Sequence, residues 1–541
     1  MTKARITLAA ALLPVIMVMS ACGPATPSSQ APDPKAIISV NTVEPASPLI
    51  PSGTDDTAGW KVVTQLFEGL VNFDKKGNLV YANAQSITPN ADASQYTIKL
   101  KPGLIFSNGE KITAATYATS WSFAANAANG QLGASIFSTI TGYDQIQDHH
   151  GDPKAGLSGL TVVDDLTLRV DLKAPDSSFP YKVGDVAFLP LPSVAYKNLG
   201  EFGKHPVGDG PYRFKSWVPN QGIVIERNPD YQGPRKAKNG GIEFRDYQSL
   251  DAAYADVDSG HLDILDSVPV SKLRTFREDS DVQALIDAGP SFRSLTIPQD
   301  LAHFGGQEGA LRRQAISQAM DRKQVTEKIF QGSVTPATDF TAPMIKGHTD
   351  KLTGSKVLSR NDDQARRLWK AADAISPWSG TFRIGYSADG TDKDWVDAVS
   401  HSISSALGIK VESDIFPTAK EFSTAINKRQ IHSAFSSGIQ SDYPHPEGYL
   451  VQGYSSSAAD GKGLNHGDYK SPDFDALMAQ AAAETRLKES IRHYQAAEDL
   501  LLKDLPVIPL WYRNVNAVAA KQVKAAPFGY MGLPIYNELA K

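Results

Sequence analysis

The chain has 541 residues, 41% of them hydrophobic and 21% charged, with a formal net charge of −5. That is enough apolar chain for more than one buried core. No basic surplus, stripe or tail is present to attract nucleic acid, which excludes it as a partner class. The single cysteine, Cys22, excludes an internal disulfide, so stability has to come from burial.

Lys3 and Arg5 form a short positive segment ahead of Ile6 to Val18, an apolar run of 13 residues. A membrane span needs about 20. The run therefore reads as the core of a secretory signal peptide, 1–21. It ends in Val18-Met19-Ser20-Ala21-Cys22, small residues directly before the cysteine. This resembles the bacterial lipobox, which implies cleavage after Ala21 and acylation (diacylglycerol, palmitate) of the Cys22 thiol. Loss of Lys3 and Arg5 with the leader moves the net charge from −5 to −7. Residues 22–35 are rich in proline and serine and read as a tether between a lipid anchor and a folded body. No second apolar stretch is long enough to span a bilayer.

Beyond the tether, strand and helix signals alternate. Tyr96, Ile98 and Leu100 alternate with polar residues as in a half-buried strand, and Ser107-Asn108-Gly109 marks a turn. Thr113 is placed to cap a helix running to about Asn129, closed by Gly130. Gly208-Asp209-Gly210-Pro211 opens a strand carrying Tyr212, Phe214 and Trp217, with Ile223 to Arg227 as its partner. Leu311, Ala315, Ile316, Ala319 and Met320 share a helical face. Asp321 then caps a second helix, with Gln324 at the capping-box position and Gly332 at its end. Ser471 is expected to cap a helix around Asp473 to Met478, and Thr485 one from Arg486 to Leu502. Mixed strands and helices without strict βαβ order indicate α/β lobes.

Six segments, taken in order, resemble the family 5 extracellular solute-binding proteins of ABC importers. Leu66-Phe67-Glu68-Gly69-Leu70-Val71 with Asp74 and Gly77 is similar to the family's "EGL…D..G" opening. Tyr96 to Lys101 with Phe106-Ser107-Asn108-Gly109 resembles "FxLR…FxDG". His205 to Tyr212 resembles "NPVGTGPY", and Arg227-Asn228-Pro229-Asp230-Tyr231 resembles "RNPDYW". Arg313-Gln314-Ala315-Ile316 with Ala319 to Arg322 resembles "RxAIxxAxDR", and Asp504 to Leu510 resembles "xxPxIPL". Within the family, the likeness runs toward the dipeptide-permease binding lipoproteins of mycobacteria.

The resemblance implies a two-lobed, periplasmic-binding-protein-like α/β fold of three domains, closing on ligand by a hinge. The expected division is a discontinuous domain of about 36–80, 195–295 and 509–541, an inserted domain of 81–194, and a third of 296–508. The implied function is capture of short peptides, di- to oligopeptides, for delivery to membrane permease subunits. The protein is expected to be a monomer on the extracytoplasmic face of the cell membrane, without enzymatic activity, resident cofactor or metal.

A cleft for many peptides must read their common parts: an ammonium, an extended backbone and a carboxylate. Gly438-Ile439-Gln440 with Asp442 and Tyr443 resembles "GWxxDYxDP", which implies a strand edge for the backbone and Asp442 for the amine. Ile439 stands where the family has tryptophan, and His445 replaces an acidic or polar residue. On the opposite lobe, Ser52-Gly53-Thr54 resembles a ligand-binding loop of the dipeptide binder. That binder's carboxylate-clamping arginine falls in the stretch matching Ser387 to Asp392, where this chain has none. A strict preference for dipeptides is therefore not expected. A rival ligand is haem, for which His303, His445 and His466 are the candidate axial residues. Gly461 to His466 falls short of a nucleotide-binding GxGxxG, and Gly385 to Asp389 fails GxSxG.

Overall fold

Residues 31–541 are described in the computed structural model of the chain; Cys22, the signal peptide and most of the tether lie outside them. The first strands are β1 (Ile37–Thr42), β2 (Val71–Phe73) and β3 (Leu79–Tyr81). A separate four-stranded antiparallel sheet is built from β4 (Ala84–Pro89), β5 (Gln95–Leu100), β6 (Leu160–Asp164) and β7 (Thr167–Asp171), in the order β4-β5-β7-β6. In β5 the alternation is realised, with Tyr96, Ile98 and Leu100 buried in a core that also holds Trp121, Phe137 and Phe188.

The chain then returns to the first sheet as β8 (Tyr212–Val218), β9 (Gly222–Arg227), β10 (Gly241–Asp246) and β11 (Ile264–Leu265). Two long strands dominate the remainder of the chain, β12 (Val282–Thr296) and, near the C-terminus, β17 (Val507–Ala520). Between them lie β13 (Val334–Pro336), β14 (Phe382–Ser387), β15 (Val411–Phe416) and β16 (Ala434–Ile439). The main sheet runs β15-β14-β16-β12-β17-β11-β1-β10-β9-β8, with β13 also on β17. β12 and β17 pair antiparallel from Val282↔Ala520 to Thr296↔Val507, and the register shifts between Ala288 and Phe292. The two strands thus run side by side inside the sheet, meeting β16 toward one end and β11 toward the other, with a break in the ladder at their middle. Separate cores lie on either side of that break: Ile38, Val40, Ile225 and Phe244 belong to one, and Leu295, Ile384, Trp395 and Ile508 to another.

The sequence motifs meet in space. Glu68 is fully buried and accepts hydrogen bonds from Asn72 Nδ2 (2.5 Å) and Gly69 N (3.2 Å). It also accepts from the Tyr231 hydroxyl and pairs with Arg235 Nε at 3.2 Å. Asp209 accepts from the Glu68 backbone N–H (2.9 Å) and from Asn83 Nδ2 (2.7 Å), which also contacts the Tyr117 hydroxyl. The glycines beside Asp209 allow this approach: a Cβ on Gly208 would lie 1.9 Å from Leu66 O, and one on Gly210 2.4 Å from Gln65 O. Three motifs far apart in sequence therefore close one buried polar hub.

The helices depart from expectation where side chains compete for the backbone. Thr113 caps the helix Ala114–Ala125 in a capping box with Thr116. The helix stops at Asn126, whose amide donates to Asp152 O and Ala155 O, and a short 3₁₀ turn then reaches the left-handed Gly130. Gly306–Ala319 buries Arg312 and Arg313 as well as its apolar stripe. Asp321 does cap the next turn through Gln324 N, but only Arg322–Gln324 is α-helical before the chain widens to a π-turn at Val325–Ile329. Ser471 caps a helix longer than expected, Pro472–Ala483. Thr485 caps nothing. The last long helix is Leu487–Asp504, and the residue ahead of it, Arg486, is held by the Glu484 carboxylate at its backbone N–H (2.8 Å) and guanidinium.

The arginines of the fifth motif bind carbonyls. Arg313 donates to Asp504 O, Leu505 O and Phe304 O, closing the end of Leu487–Asp504. Arg322, fully enclosed, donates to Pro509 O (2.7 Å), Ser317 O and Leu358 O (both 2.8 Å). Removing such a donor strands buried acceptors at about 1–3 kcal/mol each. Arg322→Met should therefore lower unfolding stability by about 2–4 kcal/mol, read as a drop in urea midpoint. An unchanged midpoint would show that water replaces the guanidinium.

Candidate functional site

β16 places the candidate site. On one side it pairs fully with β12, from Thr296↔Phe435 to Phe292↔Ile439. On the other it meets β14 only at Ile384↔Ala434 and Gly385↔Phe435. β14 itself continues beside β15 to Ser387↔Phe416. The two strands therefore splay, and among the described residues nothing pairs with that edge of Ser436 to Ile439. Gly438 lies on this edge. Ile439 turns into the core with Phe292 and Tyr449, so its side chain is structural, while Gln440 is exposed.

Asp442 stands at the end of the edge, half-buried and, among the described residues, without a cation partner. Burial pushes its carboxyl above the usual carboxylate range. The Tyr530 hydroxyl donates to its backbone carbonyl at 3.1 Å, and the Tyr530 ring meets Phe73 edge-on at 5.0 Å. A cavity of about 230 Å³ opens here. Gln440 and Asp442 line it from one side, Asp55, Thr57 and Trp60 from another, and Met531 and Leu533 close it. Ser52-Gly53-Thr54 sits behind this wall: Ser52 Oγ donates to Gln131 Oε1 (2.9 Å), Thr54 Oγ1 to Pro48 O (3.2 Å), and both residues are buried. Thr54 O accepts from Trp60 Nε1 at 2.9 Å, so the loop's part is to hold Trp60. The next residues in sequence, rather than the loop itself, face the cavity. No sequence signal pointed to them or to Tyr530, because their approach to Asp442 depends on three distant segments meeting.

A network of charges braces the loop after Asp442. Glu447 accepts from the Tyr443 hydroxyl and pairs with Lys182 at 3.2 Å, and Lys182 also pairs with Asp176 at 2.8 Å. His445 is buried between Tyr181 and Tyr494, and burial holds it down at about 3, so it stays neutral. His303 is bound to Glu308 (2.7 Å), and His466 lies beside Arg429 and Asp468. The three histidines occupy separate surroundings, none of them lining the cavity beside Asp442. A larger cavity, about 340 Å³, lies elsewhere, around Asp321, Pro336, Thr338 and Arg360, whose guanidinium is already paired with Asp321 and Asp362. Asp258, Asp279 and Asp281 could converge on a cation at the surface, but Asp279 already accepts from Tyr254 and Asp281 from Lys521.

Asp185 adds a second carboxylate to the site's field. It caps the turn Val186–Phe188 by accepting from Ala187 N at 2.8 Å. Burial first, and then the Asp442 charge, push it up to about 7. An unfolded aspartate titrates near 3.8, so between those values the folded state holds a proton that the unfolded state has lost. Stability from this group is therefore greatest at low pH and falls as pH rises toward and through 7. Asn caps as well as Asp. Asp185→Asn should leave the urea midpoint near pH 3.5 nearly unchanged, raise it a little at pH 5 and raise it most at pH 8. Equal shifts at all three pH values would mean that Asp185 is not protonated in the folded protein.

The profile of "Bacterial extracellular solute-binding proteins, family 5 Middle" matches residues 78–461. The periplasmic oligopeptide-binding protein OppA of Escherichia coli (strain K12) is 27% identical over 482 residues, covering 86% of this chain and 84% of that protein. The oligopeptide-binding protein OppA of Bacillus subtilis (strain 168) is 23% identical over 559 residues, covering 96% of each. Among solved structures, the murein tripeptide-binding protein MppA in its unliganded open form superposes with a TM-score of 0.83 at 23% identity, covering 95% of this chain and 99% of that one. AppA of Bacillus subtilis in complex with a nonapeptide gives 0.69 at 20% identity, with 94% and 99% covered. With a family match over most of its length and that fold along nearly all of it, the chain belongs to the family 5 bacterial extracellular solute-binding proteins.

Proposed function

We propose that the protein captures short peptides in the cleft beside Asp442 and hands them to the permease of an ABC importer. The observation that carries this is a half-buried carboxylate that, among the described residues, has no cation and stands at the end of a strand edge with no pairing strand. An extended peptide laid along Ser436 to Ile439 completes the ladder, and its ammonium meets Asp442. The names of the relatives, oligopeptide binders of two bacteria, support the same ligand class. The lobes divide at the middle of the β12–β17 pair, a few residues inside the expected division (36–80, 195–295 and 509–541 with the insertion 81–194 on one side, 296–508 on the other), since Phe292, Leu295, Leu510, Trp511 and Tyr512 pack in the cores of the second lobe. The ladder break between Ala288 and Phe292 is the hinge, and a ligand touching both lobes selects the closed form.

The Asp442 reading is tested by a cycle: parent and Asp442→Asn against a free peptide and its N-acetylated form. Breaking a desolvated charge pair costs about 2–5 kcal/mol. The isosteric change should fall at the lower end, about 30-fold in Kd for the free peptide. The acetylated peptide should bind the parent poorly and be little affected by the substitution. Affinity for the free peptide should also fall as pH drops through the raised range of Asp442, since protonation removes the charge that the ammonium needs. A coupling below about 0.5 kcal/mol leaves Asp442 a turn residue only.

The lipid anchor belongs to the same proposal, as does the kinship with mycobacterial dipeptide-permease lipoproteins. Cys22 directly follows the signal core, and residues 31–35 are exposed, as a tether's end should be. Cys22→Ala should stop processing and move the protein into the aqueous phase of a detergent extraction. A variant that still partitions with detergent refutes the anchor.

A further inference from the structure

Arg293 lies on β12, in register with Gly438 on β16 and with Trp511 on β17. Its side chain lies over β16 at Gly438: a Cβ built on Gly438 would stand 2.8 Å from Arg293 Cδ and 3.1 Å from its Nη1. The absence of a side chain at Gly438 is what makes room for it. Arg293 is half-buried, and among the described residues its guanidinium makes neither a hydrogen bond nor an ion pair. Asp392 is near enough to favour its charge without pairing, and is itself held by Trp395 Nε1 at 2.8 Å. Arg513, two residues beyond Trp511 on the same face of the sheet, is a second exposed cation close to Arg293.

We infer that Arg293 is the carboxylate clamp of the cleft, taking the C-terminal carboxylate of a peptide whose ammonium rests on Asp442. This deepens the peptide-binding reading and rests on it. An arginine's five donors form a planar fork that matches a carboxylate in two parallel hydrogen bonds, and here that fork has no protein acceptor. Burial and the Arg513 charge both work against the isolated guanidinium, so an anion is the partner that the site lacks. The loop 387–392 carries no arginine and needs none, because Arg293 lies over the same strand, at Gly438, from its paired neighbour. Spacing sets ligand length. Gly438 and Asp442 are four residue steps apart, at most about 13 Å of extended chain. A dipeptide spans about half of that, and three or four residues fill it.

The experiment is calorimetry with di-, tri- and tetra-alanine, each as the free acid and as the C-terminal carboxamide, against the full-length parent, Arg293→Gln and Arg293→Lys. The parent should bind the tri- and tetrapeptide acids about tenfold more tightly than their amides, and the dipeptide acid less tightly than either. Arg293→Gln should erase the preference for acid over amide by weakening the acids alone. Arg293→Lys, which keeps the stem and charge but not the fork, should retain a smaller preference, and decides the matter where the Gln variant does not fold. Equal binding of acid and amide by the parent overturns the inference. So does a preference that survives Arg293→Gln undiminished, or one that Arg293→Lys leaves at the parent's size; in those cases peptide binding stands and the carboxylate is held elsewhere. A parent that binds none of the six peptides overturns the peptide reading itself, and the clamp with it.

Discussion

The pairing of β12 with β17 is the constraint on which the rest depends. Two strands far apart in sequence run antiparallel along each other inside the main sheet, and each contributes to cores on both sides of the ladder break. Rigid pairing at the two ends with an interrupted middle is what a hinge requires: the ends keep each lobe's register, and the break absorbs the change in backbone angles. The same strands set the cleft. β12 holds β16 in register along its full length, which leaves the opposite edge of β16 as the unpaired one and lays Arg293 over Gly438.

Most of the recognisable motifs serve this frame and not the ligand. Glu68, Asp209 and Tyr231 come from three different motifs and meet in one buried hub with Arg235 and Asn83. Arg313 and Arg322 satisfy carbonyls at the ends of helices and at the start of β17. Groups of this kind are costly to leave unpaired, so each fixes the position of its partners, and together they fix where the lobes begin. A chain can therefore announce its family through residues whose contacts lie inside its own frame.

Local structure was legible wherever the signal was local. Thr113, Asp321 and Ser471 cap as their spacing requires, and Tyr96, Ile98 and Leu100 bury as alternation requires. It failed where a distant group intervened. Asn126 leaves its helix because Asp152 O and Ala155 O accept its amide, and Thr485 is displaced as a cap by the pairing of Glu484 with Arg486. The site divides in the same way. Asp442 and the edge at Gly438 come from a contiguous segment, whereas Trp60, Tyr530 and Arg293 approach that segment only through sheet register, which no single stretch encodes. Ser52 and Thr54 illustrate the converse: a matching loop whose side chains are already engaged, so that what it contributes is the placement of its neighbour Trp60.

The electrostatics of the cleft point the same way as its shape. Asp442 disfavours the charge of Asp185 at one end of the proposed cleft, and Arg513 that of Arg293 near the other. A fold selected for stability alone would pair these groups, as it does with Lys182 and Asp176 only a short distance away. Leaving them unpaired costs stability in the absence of ligand, and the cost is offset when an ammonium and a carboxylate arrive together. A free peptide carries both groups at a separation set by its backbone, independent of its side chains. On the proposed reading the polarity of the cleft selects for chain ends, and the cavity beside Asp442 offers the side chains a mixed wall, Asp55, Thr57 and Gln440 together with Trp60, Met531 and Leu533.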